Sequence, residues 1–410
     1  ITFRLKVRVQ LKERFQMKLT RNTKLALAGA TALVLAINPA AFAGSTLVVG
    51  GASSVASIVG DCKVAYTAAT GDSFAYASSS SGQGQKDMES AKNDFSFSDS
   101  AHLTSQSGTA IPASEIHIPT WVWPIGVQYK DFLGNKRTLA LSATTVAKIF
   151  AGKITMWNDP AIAADNKKSY TVEVFKTDGK GNPVKDAKGQ PILIGTKKVN
   201  QSVTLPPQAI TVIYRGDSSG TTGNLLAAFS QIDPTDWPTA SVKGSTKVFA
   251  SSDAKSAVLA DPIHFQAANG SAGVAQLAAK TPYSITYAEI NFAKLNNLGL
   301  ASITNKNGDL VQPDDASSAA QVATADIAAN GVVTQNYVNP AKGVYPFTVV
   351  TYALALTNYG DATKAAAVKK AIEWHAFNCP DTAPNDGFIK IDKNGALGTK
   401  IQAQLAKLGK

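Results

Sequence analysis

The 410-residue chain has only two cysteines, four histidines and three methionines, and only 17% of it is charged. So few histidines and cysteines leave little for a metal centre, and neither type recurs at ligand spacing. No HExxH, GxSxG or Walker A string occurs, which removes the commonest signatures of zinc hydrolases, α/β-hydrolases and P-loop NTPases. Beyond the first 43 residues there is no long apolar run, which excludes a polytopic membrane protein. No sustained repeat or heptad is present. What is there is a 44% hydrophobic content, enough for a sizeable core, on a length that fits two or three domains.

The net charge of +11 invites a nucleic-acid reading until it is located. Residues 1–43 carry eight basic side chains against Glu13 alone. From Met17 the string has a basic head, an apolar stretch Leu25–Ile37 and a small-x-small site, Ala41-Phe42-Ala43. This predicts a cleavable signal peptide starting at Met17 and cut after Ala43, with residues 1–16 an upstream extension. A single membrane anchor is the rival reading, but Asn38 and Pro39 interrupt the stretch. The rest of the excess sits in residues 166–207, where eight lysines face Glu173, Asp178 and Asp186. Its turn-rich DGKGNP between short β-prone runs predicts an exposed hairpin insertion, with strands at Tyr170–Phe175 and Pro191–Gly195. A nucleic-acid binder would carry its charge on the core fold, so no nucleic-acid partner is expected. In an exported chain Cys62 and Cys379 have one possible intramolecular pairing. Two separate buried thiols are the alternative, but Cys379 stands in a polar stretch, and a disulfide is expected.

Short β runs alternate with helical stretches. TLVV at 46–49, ended by Gly50-Gly51, SFAYA at 73–77, DFSFS at 94–98 and AITVIY at 209–214 read as strands. Helices are expected near Ser54–Ala65 and Ala143–Ala151, the latter capped by Ser142 and stopped by Gly152. Residues 118–129 read as extended. The alternation argues for an α/β fold with parallel strands.

Three segments place serine, threonine and glycine between a strand and a helix: Gly51-Ala52-Ser53-Ser54, Ser80-Ser81-Gly82-Gln83-Gly84 and Ser218-Ser219-Gly220-Thr221. Helix N-termini with free N–H groups, nearby hydroxyls and close backbone approach suit an oxyanion. Ordinary N-capping explains any one of them; three in one chain favour a shared anion site. Arg215 ends a strand beside the third segment and can bind an oxyanion through two N–H groups, with Asp217 placed to hold it. A surface Arg–Asp pair is the alternative. Asp99 follows the Phe95–Phe97 strand. Beside an anion a carboxylate makes sense when the anion carries a proton; otherwise Asp99 is a helix N-cap. Gly216-Asp217-Ser218-Ser219-Gly220 is similar to the GDSGG of trypsin-like proteases, but none of His102, His117, His264 and His375 has that family's context.

These motifs resemble the phosphate-binding protein of bacterial ABC-type phosphate transporters, a type II periplasmic binding protein. RGDSSGTT at 215–222 resembles its phosphate loop, FSFSDS at 95–100 its F-G-A-S-D segment, and SSGQG at 80–84 its glycine turn. GASSV at 51–55, VAKIFAGKITMWNDPAIAADN at 146–166, YSITYAEINFAKLNNL at 283–298 and YPFTVVTYALAL at 345–356 follow in the family's order. The first loop departs from it, with Ser53-Ser54-Val55 where the family has Thr-Phe-Pro.

The resemblance implies a two-lobed α/β fold with the ligand in the cleft between lobes. Lobe one would be 44–124 plus 346–410, and lobe two 125–345 with the 166–207 insertion. It implies phosphate ligands at Ser53, Ser54, Ser81, Asp99, Arg215, Ser219, Gly220 and Thr221, with Asp217 behind Arg215. It implies a monomeric periplasmic or secreted binding protein, not an enzyme, without metal or cofactor, that serves a membrane permease. A receptor for another tetrahedral oxyanion, a surface protein that kept the fold without transport, and a phosphatase remain as alternatives.

Overall fold

The computed structural model describes residues 45–409 except 135–137, 168, 180–183, 188–190, 201–202, 240–246, 324 and 383–386. The signal peptide expected within residues 1–43 lies outside the described residues. In chain order the first half runs β1 (Thr46–Gly51), α1 (Ala56–Thr70), β2 (Ser73–Ser78), α2 (Ser81–Glu89), β3 (Phe95–Ser98), β4 (Glu115–Tyr129), β5 (Ala140–Ser142), α3 (Ala143–Phe150), α4 (Pro160–Asp165), β6 (Ser169–Phe175) and β7 (Leu193–Asn200). It continues with β8 (Thr211–Arg215), α5 (Gly220–Ile232), α6 (Lys255–Ala260), β9 (Phe265–Ala268), α7 (Gly270–Lys280), β10 (Ser284–Glu289) and α8 (Ile290–Leu295). Short strands β11 to β15 lie between Gly299 and Thr334, around α9 (Asp315–Val322). The chain closes with β16 (Thr348–Leu356), α10 (Ala362–Phe377), α11 (Cys379–Thr382) and α12 (Ala396–Leu405).

The main sheet has the order β2-β1-β3-β16-β4-β10-β8-β9. Its two flanks are parallel, as the alternation implied: β1 with β2 and β3, and β8 with β9 and β10. The centre is not. β16 runs antiparallel to β3 and β4, and β4 antiparallel to β10. The reason is connectivity: β4 and β16 carry the chain between two lobes in opposite senses, so they pair antiparallel where they meet.

Two prolines inside β4 would be out of place in a central strand, because proline cannot donate to the ladder. Each falls where the ladder is interrupted. Pro119 pairs with Tyr352 beside a register shift between Thr351 and Tyr352. Pro124 pairs with Thr348 at the end of the β16 ladder, and the next residue, Ile125, opens the pairing with β10 at Glu289. β4 therefore changes partners at one peptide.

The first strand takes in Gly50 and ends at Gly51, two residues beyond the TLVV run. Gly51 has φ 121°, and a Cβ there would strike the Phe97 carbonyl. Only glycine lets β1 lie this close to β3. A Cβ at Gly84 would meet Gly51 Cα at 2.7 Å, so α2 also sits directly on β1. No helix follows Asp99; the next element is β4, and the N-cap reading of Asp99 fails. Ser142 does cap α3, accepting from Thr145 N at 3.0 Å.

The 166–207 stretch carries β6 and β7 as an antiparallel ribbon. The second strand lies at Leu193–Asn200 rather than Pro191–Gly195, and its side chains are largely exposed. Inside the sheet's helical cover, Trp121 stacks on Phe97 at 4.5 Å between centroids and donates its indole N–H to the His375 carbonyl at 2.9 Å.

Cys62 on α1 and Cys379 at the start of α11 form the expected disulfide, with Cα atoms 5.4 Å apart at a sequence separation of 317. Cys379 is buried in a short helix rather than standing in a polar loop. The bond ties the returning chain to the first helix and should contribute ~2–4 kcal/mol by constraining the unfolded chain. Alkylation of the denatured, unreduced protein should label no thiol, and reduction should lower its melting temperature. Two labelled cysteines before reduction would contradict the pairing.

Candidate functional site

The carboxyl ends of β1, β3 and β8 and the N-terminus of α2 point to one place. Asp99 follows β3 and is 2% exposed. Its Oδ2 accepts from Ser54 Oγ at 2.6 Å and from Thr221 Oγ1 at 3.1 Å. Its Oδ1 accepts from Thr351 Oγ1 at 2.7 Å. Ser54 belongs to the turn after β1, Thr221 to the first turn of α5 and Thr351 to β16, so three distant segments meet on one carboxylate. Burial pushes the Asp99 carboxyl up, opposed by the three hydroxyls and by Arg215.

Arg215 closes β8 and is equally buried. Its Nε donates to Asp217 Oδ1 at 2.7 Å, and a second guanidinium nitrogen reaches Asp217 Oδ2. Asp217 also accepts from Gly270 N at 3.1 Å. Burial works against the guanidinium charge, but Asp217 outweighs it and holds the Arg215 pKa up. Burial likewise raises Asp217, and the Arg215 pair overrides it and lowers that carboxyl. The pair is part of a buried site, not a surface pair of little consequence.

The serine and glycine segments close around these charges. Ser81 Oγ accepts from the Asp99 amide at 3.1 Å. Gly82 N donates to Ser218 O at 2.9 Å, joining the second segment to the third. Ser53 Oγ accepts from Ser271 N at 3.1 Å. A Cβ on Gly220 would meet Ser81 Oγ at 2.6 Å, so α5 begins against the α2 turn. Ser219 caps α5, accepting from Thr222 N at 3.2 Å. Capping and convergence are therefore both true. All nine residues singled out in the sequence belong to this one cluster.

Four further residues complete it, none of them singled out in the sequence as a candidate ligand. Thr351 Oγ1 accepts from Trp123 Nε1 at 2.9 Å and donates to Asp99 Oδ1. Ser271 receives an N–H of Arg215 at 3.2 Å and donates to Glu289 Oε1 at 3.1 Å. Tyr287 accepts from the Arg215 amide at 3.1 Å. Glu289 is fully buried at the end of β10, with Oε2 lacking a partner among the described residues. Burial first, then repulsion from Asp99, raises its carboxyl from the usual 4.5 to about 8. Thr351 and Glu289 lie in the family-resembling blocks 345–356 and 283–298, but nothing in those blocks marked either residue as part of the site.

Chemically, the cluster offers hydroxyls, first-turn amides of α2 and α5, one guanidinium and the hydrogen-bonded carboxyl groups of Asp99, Asp217 and Glu289. Among the described residues no group of His, Cys, Asp and Glu converges as metal ligands do. The pattern suits an anion with a proton to share.

The profile of the PBP superfamily domain matches residues 36–376. The chain belongs to the PBP superfamily. Phosphate-binding protein PstS of Pasteurella multocida is 30% identical over 385 residues, spanning 91% of this chain and 94% of that protein. Phosphate-binding protein PstS 3 of Mycobacterium tuberculosis is 28% identical over 347 residues, spanning 82% of this chain and 80% of that one. Among solved structures, a high affinity periplasmic phosphate-binding protein bound with phosphate aligns with TM-score 0.57 and 19% identity, covering 87% of this chain and 93% of its own. An ancestral soluble variant of the human phosphate binding protein aligns with TM-score 0.59 and 18% identity, over 88% and 93% of the two chains. These neighbours share the two-lobed α/β superfamily fold.

The Glu289 shift has a stability consequence. Between pH 4.5 and about 8 the folded chain keeps this proton while the unfolded chain has lost it. Stability contributed by the protonated form is therefore lost as pH rises through that window. Glu289→Gln removes the titration and keeps the acceptor for Ser271. Its melting temperature should exceed that of the unsubstituted chain at pH 8.5, with the gap closing towards pH 4.5. A gap independent of pH would show that Glu289 does not titrate this way.

Proposed function

We propose that this cluster binds inorganic phosphate outside the cytoplasm and that the protein delivers it to the permease of an ABC-type transporter. The observation that carries the reading is Asp99: a buried carboxylate ringed by hydroxyls and placed within the field of Arg215. A carboxylate among anion-binding donors would repel an anion that has no proton. Facing a protonated oxyanion, it accepts a charge-assisted hydrogen bond. An ionised carboxylate accepts about four bonds, and Asp99 uses three of its positions for Ser54, Thr221 and Thr351.

In this reading Arg215 pairs with the anion's charge, held at the correct angle by Asp217. Ser53, Ser54 and Ser81 bind from lobe one; Ser219, Gly220 and Thr221 bind from the first turn of α5. Hydroxyl hydrogens rotate, so Ser54 and Thr221 can turn from Asp99 to an oxyanion without moving their backbones. The names of the relatives from Pasteurella multocida and Mycobacterium tuberculosis support the choice of phosphate. The partner change in β4 at Pro124–Ile125 supports lobe boundaries at 124/125 and 345/346, with closure about those two strands. The disulfide fits an oxidising compartment. Among the described residues no helix is long and apolar enough to cross a membrane.

The histidines support binding over hydrolysis. His102 lies between Glu89 and Glu115, His264 pairs with Asp261, and His375 bonds the Ala371 carbonyl in the core. His117 accepts from the His102 amide. None bonds Ser218 or Ser219, so the GDSSG string has no base for a nucleophile.

Titration calorimetry on ligand-stripped protein should give tight binding of phosphate and arsenate, both protonated, and weak or no binding of sulfate. Asp99→Asn should narrow that gap, because the amide can donate where the carboxylate repels. Arg215→Ala removes the charged partner of a buried anion and should cost about 2–5 kcal/mol of binding. Equal affinity for sulfate and phosphate in the unsubstituted protein would replace this reading with that of a general oxyanion receptor.

A further inference from the structure

Lys247 belongs to none of the motifs, yet it is 3% exposed and touches both halves of the site. It precedes the short helical turn Phe249–Ser251. Its backbone carbonyl accepts from Ser219 N at 3.0 Å, so its main chain supports the cap of α5. Its ammonium reaches the other way, to Gln85 Oε1 on α2 at 2.5 Å. The amide nitrogen of Gln85 in turn donates to Ser98 Oγ at 3.0 Å and to the Ser100 carbonyl at 3.1 Å. Those are the two residues that flank Asp99.

A buried ammonium with three donors is expensive unless it is well partnered. Among the described residues the ammonium's hydrogen-bond partner is Gln85 Oε1. Burial lowers its pKa to about 8, with the charge of Glu89 on the same helix as Gln85 opposing the shift. Glu89 itself is bonded to His102, to the amides of Gln106 and Ser107 and to the Ser107 hydroxyl, so it does not pair directly with the ammonium. A methionine of similar length would fill the same space without that penalty. Core packing alone therefore does not account for a lysine here.

We infer that Lys247 is a positioning residue for the phosphate site: its ammonium spans the cleft to Gln85, and this link holds the Asp99 loop against the cap of α5 while the anion is bound. The link is part of the closed arrangement, so it slows opening rather than aiding encounter. It also places a positive charge beside the loop that carries the Asp99 carboxylate. The inference rests on the phosphate reading above.

The test measures phosphate affinity by calorimetry, association and release by stopped-flow, and melting temperature. It uses the full mature chain and its Lys247→Met, Lys247→Arg, Gln85→Leu and Lys247→Met/Gln85→Leu variants. Lys247→Met should release phosphate roughly tenfold faster, with association little changed, as expected for a contact made after encounter. Its melting temperature should be unchanged or higher. Lys247→Arg should recover most of the slow release, and the double variant should be no worse than the weaker single one. Unchanged release in Lys247→Met, or losses that multiply in the double variant, would overturn the link. So would a loss of affinity that merely follows a fall in melting temperature. If Lys247→Met does not fold, Gln85→Leu and Lys247→Arg decide: fast release in the first and slow release in the second are required. An unsubstituted protein that binds no phosphate would overturn the phosphate reading itself, a result distinct from normal binding that ignores residue 247.

Discussion

The structure depends on keeping two opposite charges, Asp99 and Arg215, almost wholly out of water at the ends of two strands. Neither is tolerable in a protein interior without partners, because desolvation disfavours the charged form of each. Apart from Asp217, the partners come from distant parts of the chain. Asp99 draws hydroxyls from the turn after β1, from α5 and from β16. Arg215 draws Asp217 from its own loop and Ser271 from α7. Apart from Thr351, which lies within β16, each partner is a loop tip or helix start, so satisfying two buried charges brings the tips of both lobes together. Most of the cluster's other contacts follow from that closeness, including the glycines that admit α5 against α2 and α2 against β1.

The crossing strands give the cluster its rigidity. β4 is buried along nearly its whole length and is shared between the two flanks of the sheet. Trp123 on β4 bonds Thr351 on β16, and Thr351 bonds Asp99, so the strands that connect the lobes also orient the central carboxylate. On the same side, His102 bonds Glu89 of α2 through one ring nitrogen and Glu115 of β4 through the other. The loop that leaves Asp99 is thus clamped between α2 and β4.

Much of this was legible from residues alone. Ser142 before Ala143, and Gly152 after the helix, announced α3 because capping is a local interaction between a side chain and its own next turn. The anion-site segments were legible for the same reason: glycine and serine between a strand and a helix do local work wherever the chain goes. The antiparallel centre of the sheet was not legible. Strand direction is set by which distant strand is adjacent, and β16 follows β3 by some 250 residues. Gly50-Gly51 signalled the end of β1, which closes at Gly51, but not its close approach to β3, which only the position of Phe97 reveals.

The sequence by itself determined the chemical inventory: which residues can bind an oxyanion, that Arg215 and Asp217 stand two apart, and that two cysteines can pair. Tertiary structure alone decided which polar groups within apolar strands became part of the site. Thr351, Ser271, Glu289 and Lys247 look ordinary in their own segments. They matter because folding removes water from them and sets each within bonding distance of a group far along the chain. The strength of a buried polar contact depends on the solvent it excludes, and that exclusion is a property of the assembled fold.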